Sequence, residues 1–322
     1  ADGLRITAGF VTVRGLAIHS FPRDGIVLDG PNGAWAALLE GNFIGTDLSG
    51  TVARPNRRHG VNLIDSNQNA IGGTAPPASN LISANGQTGV AMSQPEQGIT
   101  FFNELQGNLV GTDVTGTRDL GNGSAGVSLS YGDNNTIGGT APGAGNLISG
   151  NGAEGLLLAS ASNNLIQANL IGTDIGGAFP LGNDLSGVAL QRSDGNTLGG
   201  SPTGAGNLVS GNAVDGVVIS DSEFPGNEVR ANLIGTDTSG LTPMGNASNG
   251  VFLVASSDNV VAGNVISGNG ENGVFISGDA NAAVITGNNV EDNLIGTDKS
   301  GLRPLGNGAN GLLIADLSSG LR

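Results

Sequence analysis

Short runs in which every second residue is apolar recur along the whole chain, separated by glycine, asparagine and other turn residues. The first three are Val11-Thr12-Val13, Leu16-Ala17-Ile18 and Gly25-Ile26-Val27-Leu28. A period of two over so few residues predicts short β-strands. Strands of this length cannot form a hydrophobic core alone, so we expect each to stack on its equivalents in a continuing coil.

One hexapeptide, Asn-Leu-Ile-Gly-Thr-Asp in its central copy at Asn169 to Asp174, recurs at nearly constant spacing. The five copies end at aspartates that are 66, 61, 63 and 61 residues apart, namely Asp47, Asp113, Asp174, Asp237 and Asp298. A fixed period over so much of a chain predicts stacked equivalent units.

Each period contains two kinds of coil, and each coil has three strand positions. Successive coils begin at Asn135, Asn164 and Asn196, so the two kinds are 29 and 32 residues long. The first kind carries an insert after its first strand, and the second kind carries one after its second strand. The chain therefore has roughly ten coils, which at about 4.8 Å per strand predicts a rod on the order of 50 Å long.

The pattern Asn-x-Ile-x-x-Asn-x-Ile-x-x-Asn, followed by Gly-Val-x-Ile, resembles that of the right-handed parallel β-helix proteins of the pectate-lyase-like superfamily, including their carbohydrate-binding and copper-maturation repeats. The resemblance extends from about Leu4 to Ile314. It implies an all-β fold, with residues 1–322 as a single β-helix domain of about ten coils. Lyases, hydrolases, epimerases, tailspikes and adhesins share that coil, so the fold does not select a function.

Inside such a coil, the inward Ile, Leu and Val side chains are expected to form an aliphatic column. Turn asparagines tolerate left-handed backbone and hydrogen-bond to the backbone or to the asparagine of the next coil, which predicts ladders through Asn85, Asn151, Asn212 and Asn269. A further column is polar in every repeat but changes charge, which indicates an outward face; its members are Glu40, Gln106, Gln167, Arg230 and Glu291.

Composition and net charge exclude several classes of fold, partner and metal site. The 58 glycines, 3% aromatic and 12% charged residues fit short strands joined by tight turns rather than a disordered chain. The net charge of −15 disfavours nucleic acid and anionic membranes as partners, because both need clustered Lys and Arg. No apolar run approaches the roughly 20 residues of a membrane-spanning helix. The absence of cysteine excludes disulfides and thiolate metal sites.

The insert that follows each repeated aspartate reads Thr-Asp-x-(Ser/Thr)-Gly-x-x-Pro-(Leu/Met)-Gly-Asn in its better copies. Carboxylate, carbonyl and amide oxygens are the ligands that calcium uses, so the column of Asp47, Asp113, Asp174, Asp237 and Asp298 is a candidate calcium site. The alternative is that each aspartate caps its own turn by accepting backbone N–H bonds. The calcium hypothesis would be contradicted if a chelator left the melting temperature unchanged and calorimetry showed no heat of calcium binding.

The first complete copy of that insert departs from the consensus and is basic, with Arg54, Arg57 and Arg58 close together. Guanidinium groups present planar donors that suit carboxylate and sulfate groups. These arginines are therefore a candidate contact for an acidic polysaccharide or cell-surface glycan. A solvated basic loop is the alternative.

Two acidic clusters are candidates for the flank of a sugar-binding groove, namely Asp221 and Glu223 with Glu228, and Glu291 with Asp292. Paired carboxylates would suit glycoside hydrolysis. No unrepeated catalytic set stands out, however, and we assign no catalytic residue. The two histidines, His19 and His59, are interpreted as surface residues.

The repeats favour a non-catalytic extracellular rod of a bacterial surface or secreted protein, acting as scaffold, adhesin or glycan-binding module. The alternative is a polysaccharide-active enzyme, a lyase, hydrolase or epimerase that uses a groove along one face. No cofactor is required, and calcium is the candidate ion. Neither end shows the cap that a solenoid needs, which predicts a fragment of a longer chain with neighbouring domains at both ends, or a partner that covers each end. An extracellular or cell-surface location is expected, with the signal peptide absent from this sequence.

Overall fold

A computed structural model of the chain describes residues 1–93, 101–278 and 285–315, whose backbone winds into stacked coils. Each complete coil contributes one strand to each of three parallel sheets. The strands of a coil contain three or four, three, and two residues in chain order. The predicted right-handed parallel β-helix, with about ten coils and three short strands in each, is confirmed.

The three sheets are named A, B and C after the order of their strands within a coil. Sheet A contains Leu4–Ile6, Ile26–Asp29, Val61–Ile64, Val90–Ser93, Val127–Ser130, Leu156–Ala159, Val188–Gln191, Val217–Ser220, Val251–Val254, Val274–Ser277 and Leu312–Ala315. Sheet B contains Thr12–Arg14, Leu38–Glu40, Ala70–Gly72, Glu104–Gln106, Thr136–Gly138, Leu165–Gln167, Thr197–Gly199, Glu228–Arg230, Val260–Ala262 and Asn289–Glu291. Sheet C contains Ala17–Ile18, Phe43–Ile44, Leu81–Ile82, Leu109–Val110, Leu147–Ile148, Leu170–Ile171, Leu208–Val209, Leu233–Ile234, Val265–Ile266 and Leu294–Ile295. Each of coils 1 to 10 therefore contributes a strand to all three sheets, and Leu312–Ala315 is the sheet A strand of coil 11.

Inserts of two kinds alternate between the coils. The odd-coil inserts, at residues 73–79, 139–145 and 200–206, follow the sheet B strands of coils 3, 5 and 7. The even-coil inserts, at residues 45–55, 111–121, 172–182, 235–245 and 296–306, follow the sheet C strands of coils 2, 4, 6, 8 and 10. Two 3-10 helices also occur, Gly30–Asn32 in coil 2 and Pro76–Ala78 within the first odd-coil insert.

The even-coil inserts form a column of their own beside the sheets. Each is a loop closed by one antiparallel bridge, which joins Thr173 to Pro180 in coil 6. The N–H of Ile175 donates to the Gly116 carbonyl of the previous insert at 2.9 Å, and the other inserts repeat this bond. Each even-coil insert therefore reaches across the intervening odd coil to the next insert, which explains why the sequence repeat is two coils long.

The core is a single aliphatic column inside the three sheets. Ile166, Leu198 and Val229 lie in register on successive sheet B strands, and each is 0% exposed. The predicted stacking of inward side chains is confirmed. The described residues include no helix with the length and apolar character needed to cross a bilayer.

Three ladders of buried asparagine run beside this core. Asn169 Nδ2 donates to the Ile137 carbonyl (2.9 Å) and to Asn207 Oδ1 (3.0 Å), while Asn169 Oδ1 accepts bonds from Asn146 Nδ2 (2.9 Å) and Asn146 N (3.0 Å). The ladder between sheets B and C contains Asn42, Asn80, Asn108, Asn146, Asn169, Asn207, Asn232, Asn264 and Asn293. The ladder before sheet B contains Asn69, Asn103, Asn135, Asn164, Asn196, Asn227, Asn259 and Asn288. The ladder before sheet A contains Asn56, Asn85, Asn122, Asn151, Asn183, Asn212, Asn246, Asn269 and Asn307, which confirms the predicted ladder asparagines.

The polar column that ends the sheet B strands of even coils does not face solvent throughout. Glu40 and Gln167 are each only 7% exposed. Gln167 Nε2 donates to the Gly199 carbonyl at 2.9 Å, where the next odd-coil insert begins. Arg230, which precedes a coil without that insert, has a side chain 30% exposed. The interpretation of this column as an outward face is therefore wrong where an insert covers it.

Candidate functional site

A groove runs along the outer face of sheet C, between odd-coil inserts on one side and even-coil inserts on the other. Its floor is the first residue of each sheet C strand. Leu147 and Leu208, beneath the even-coil inserts, are 1% and 4% exposed, whereas Leu170 and Leu233 are half-buried. Depressions of about 380, 400 and 550 Å³ open along the groove. The partly exposed leucines of the groove floor therefore recur every two coils, or about 10 Å.

The groove widens at coil 9, where the odd-coil insert is missing and Gly263 alone joins Ala262 to the ladder asparagine. In coil 6 the N–H of Ala168 donates to Ala205 within an insert at 3.0 Å, but in coil 8 the N–H of Ala231 donates to Ala262 at 3.2 Å. The depression of about 550 Å³ here adjoins another of about 190 Å³, and Ala231 and Gly263 line both. We call this region the coil-9 gap.

Charged side chains from coils 8 and 10 surround the coil-9 gap. Lys299, the one lysine in the sequence, lines the larger depression. Arg230, Glu291 and Asp292 line the smaller one. Arg230 Nε donates to Glu228 Oε2 at 2.8 Å, so the predicted residue Glu228 reaches this site through its arginine partner.

The predicted residues Glu291 and Asp292 therefore line the gap, whereas the two remaining members of the cluster that contains Glu228 lie away from it. Asp221 and Glu223 are exposed on the turn between sheets A and B of coil 8 and line neither depression. The backbone N–H of Glu223 donates to Asp194 Oδ1 at 2.8 Å. The structure therefore does not bring the three residues of that cluster together as one flank.

The predicted arginines lie at the opposite end of the rod, where coil 2 turns from sheet C to sheet A. Arg54 and Arg57 are exposed and form no ion pair within residues 1–93, 101–278 and 285–315. Arg58 Nε lies 4.0 Å from Asp24 Oδ1. Six coils, or about 29 Å, separate these three residues, which we call the arginine patch, from Asp221 and Glu223.

Charge is distributed unevenly along the rod. Residues 1–60 contain six basic and five acidic residues, a net charge of +1, whereas residues 61–322 contain six basic and 22 acidic residues, a net charge of −16. Within the first segment Arg5, Arg14 and Arg23 are paired with carboxylates. Arg54 and Arg57 of the arginine patch are thus the two arginines of this segment without an ion-pair partner among the described residues.

A buried carboxylate beside this patch was missed in the sequence. Asp24 is 2% exposed and accepts bonds from the N–H of His59 (3.0 Å) and from Asn62 Nδ2 (3.3 Å). Burial lowers the pKa of His59, against the raising effect of Asp24, and the Arg58 charge lowers it further. His59 is half-buried, so its interpretation as a surface residue is wrong. The sequence does contain a signal for this contact, because Asp24 and His59 each precede the glycine that leads into a sheet A strand and so occupy equivalent positions in adjacent coils.

The repeated aspartates accept hydrogen bonds from their own inserts. Asp174 Oδ1 accepts the N–H groups of Ala178 (2.8 Å) and Phe179 (2.9 Å), and Asp47, Asp113, Asp237 and Asp298 are bound in the same manner. These bonds are those of the turn-capping alternative. The described part of the chain brings no three metal-ligating His, Asp or Glu residues together. Calcium binding by this column stays a prediction.

We expect Ser49→Ala to raise the pKa of Asp47 toward its ordinary value. The Ser49 hydroxyl donates to Asp47 Oδ1 at 2.7 Å and, with the N–H groups of the insert, holds that pKa below its usual range despite desolvation. Because the folded pKa is the lower one, this carboxylate stabilises the fold above the unfolded pKa of about 3.9, and that contribution is lost as pH falls through the folded pKa. Carboxyl-carbon NMR titration measures the shift. Ser300→Ala should move Asp298 and leave Asp47 unchanged, and an unmoved Asp47 in Ser49→Ala contradicts the assignment.

Known proteins share the sequence pattern and the fold of this chain. The family model described as periplasmic copper-binding protein (NosD) matches residues 56–204 and 201–314, together 259 of 322 residues. No curated protein matches the sequence. The crystal structure of the periplasmic alginate epimerase AlgG is 15% identical, with a TM-score of 0.42, over 98% of this chain and 74% of that one. The A-module of the Azotobacter vinelandii mannuronan C-5 epimerase AlgE4 is 14% identical, with a TM-score of 0.35, over 98% and 79%. Neither of these two similarities indicates an activity for this chain.

The side chains present do not fit a copper centre. Copper in proteins takes histidine, cysteine and methionine ligands, and this sequence has two histidines, two methionines and no cysteine. Met92 and Met244 are 1% and 8% exposed. His19 and His59 belong to no metal-ligating group among the described residues. We therefore derive no chemistry through copper.

Proposed function

Because this chain belongs to the NosD family of periplasmic copper-binding proteins, we propose that it is a non-catalytic β-helix rod of the periplasm or cell exterior that binds acidic polysaccharide. The observation that carries this proposal is the arginine patch, in which Arg54 and Arg57 are exposed and unpaired within the described residues. Carboxylate and sulfate groups match the paired N–H donors of a guanidinium group.

The charge distribution favours polysaccharide over nucleic acid. Double-stranded DNA carries one negative charge per about 1.7 Å of its axis, and the net charge of −16 over residues 61–322 would repel such a polymer along most of the rod. A polysaccharide with one acidic group on each sugar has a lower charge density. It can place a few acidic groups on the arginine patch with less repulsion from the remaining coils.

We expect the double variant Arg54→Ala/Arg57→Ala to bind dextran sulfate of low sulfation, about one sulfate per sugar, about tenfold more weakly, because two exposed ionic contacts contribute about 1 kcal/mol or less each. Neither side chain has an ion-pair partner to lose, so the melting temperature should not change. Affinity electrophoresis with dextran sulfate and with neutral dextran measures the effect.

The matched control is Arg118→Ala/Arg303→Ala, which removes two exposed arginines from other even-coil inserts and should leave retention unchanged. Equal retention of the patch variant and the unaltered protein contradicts the proposal. Equal retention by neutral dextran contradicts it as well, since the proposed contact is with the acidic groups.

Two further predictions belong to this proposal, one about catalysis and one about domain organisation. A polysaccharide-active enzyme is the alternative, and release of reducing ends or of unsaturated uronates from a panel of polysaccharides would favour it. The organisation of residues 1–322 as one domain, with neighbouring domains at both ends, also stays a prediction; limited proteolysis of the natural full-length protein tests it.

A further inference from the structure

We propose that the coil-9 gap is a second binding site, which holds a single sugar residue bearing one carboxylate. The inference deepens the proposed function and rests on it, because that sugar would belong to the same acidic polysaccharide. The two sites are nonetheless separate. Seven coils, or about 34 Å, lie between the arginine patch and the coil-9 gap.

The gap has the shape of a pocket and an apolar floor. The larger depression, of about 550 Å³, lies within the usual range for small-ligand sites. Leu233, Val265 and Leu294 line it on successive sheet C strands. The C–H face of a sugar ring can lie on these side chains and remove apolar surface from water. In coil 7, the corresponding corner is instead occupied by the insert at residues 200–206.

Two cations are placed to receive a carboxylate. Arg230 is oriented by its Nε bond to Glu228, which leaves its terminal nitrogen atoms without an acceptor among the described residues and able to donate to a ligand. Lys299 stands on the opposite wall, and its backbone N–H is fixed to the Gly240 carbonyl at 2.8 Å. The shared lining residues Ala231 and Gly263 have no side chain large enough to separate the two depressions.

The other side of the gap offers acceptors for sugar hydroxyls. Glu291 and Asp292 are exposed and line the smaller depression opposite Arg230. Arg230 and Glu291 flank Ala262 in register, so their backbone positions are two coil steps, or about 10 Å, apart, and a ring seated over Ala262 lies between the two side chains. A carboxylate on one edge and hydroxyls on the other therefore match the charges around the gap. A ligand with hydroxyls alone would use the acidic side only.

Isothermal titration calorimetry with trigalacturonate, a chain too short to reach the arginine patch from the gap, tests this site. We expect binding of the free acid and at least tenfold weaker binding of its methyl ester, which lacks the charge. Arg230→Gln and Lys299→Gln should each weaken binding of the free acid about tenfold. Arg192→Gln, an exposed arginine of coil 7, is the matched control and should bind normally.

The outcomes separate this inference from the proposed function. No binding of trigalacturonate, equal binding of the methyl ester, or unchanged binding by both gap variants overturns the coil-9 site. Retention on dextran sulfate that depends on Arg54 and Arg57 would then still support the arginine patch. In the reverse case, trigalacturonate binding that is lost in Arg230→Gln, together with dextran sulfate retention that is unchanged in Arg54→Ala/Arg57→Ala, supports the gap alone.

Discussion

Asn169→Ala is expected to lower the free energy of unfolding by about 3–5 kcal/mol, a large effect for one substitution. The side chain is 0% exposed and forms four hydrogen bonds within its ladder. Alanine would leave the Ile137 carbonyl without this donor and both donors of Asn146 without this acceptor. Each buried polar group left without a partner costs about 1–3 kcal/mol.

Urea denaturation followed by circular dichroism measures this loss. The matched control is Asn289→Ala, because Asn289 is an exposed asparagine on a sheet B strand, outside the ladders. It should change stability by no more than about 0.5 kcal/mol. Similar midpoints for the two variants would show that the ladder bonds are not what stabilises the stacked turns.

Gly172→Ala is expected to destabilise the protein by about 2–5 kcal/mol, for two additive reasons. Gly172 has a φ of +86°, which costs an L-residue about 1–2 kcal/mol. A methyl group there would also overlap the Ser210 carbonyl and the Asn212 side chain of the next coil. Overpacking of this kind costs about 1–3 kcal/mol more, because the contacted atoms belong to the backbone and a buried ladder.

Gly204→Ala separates the two causes. Gly204 has a φ of +83°, but a methyl group on it would meet no atom within 4 Å. The variant should lose only the backbone term, about 1–2 kcal/mol. The difference in unfolding free energy between the two alanine variants reports the closeness of the coils. Equal losses would mean that backbone conformation alone requires glycine in the Ile-Gly-Thr-Asp motif.

The fold was predictable because its cause is visible along the chain. Stacking requires the same residue at the same place in every coil, so the asparagines of the ladders and the Gly-Thr-Asp steps recur at a fixed period. By contrast, the sequence did not predict the burial of Gln167 in the polar column. Burial there depends on whether an insert from a different coil lies over the side chain, and no local pattern at Gln167 reports that.

The candidate sites were predictable only in part, for the same physical reason. The arginine patch is contiguous in sequence and stood out from its repeat. The coil-9 gap joins Arg230, Gly263 and Lys299 from three successive coils, 33 and 36 positions apart in sequence. Glu228 was singled out, but its pairing with Arg230 depends on side-chain geometry. Asp24 was missed because its partners, His59 and Asn62, belong to the following coil.

The column of even-coil inserts constrains how the length of such a rod can change during evolution. Each insert bonds to the insert two coils away, as Thr238 does to Gly177. Loss or duplication of one coil would place an insert against a coil that has none and interrupt the column. Loss or duplication of a pair would restore every neighbour. Viable lengths should therefore differ by whole pairs of coils, in steps of about 10 Å.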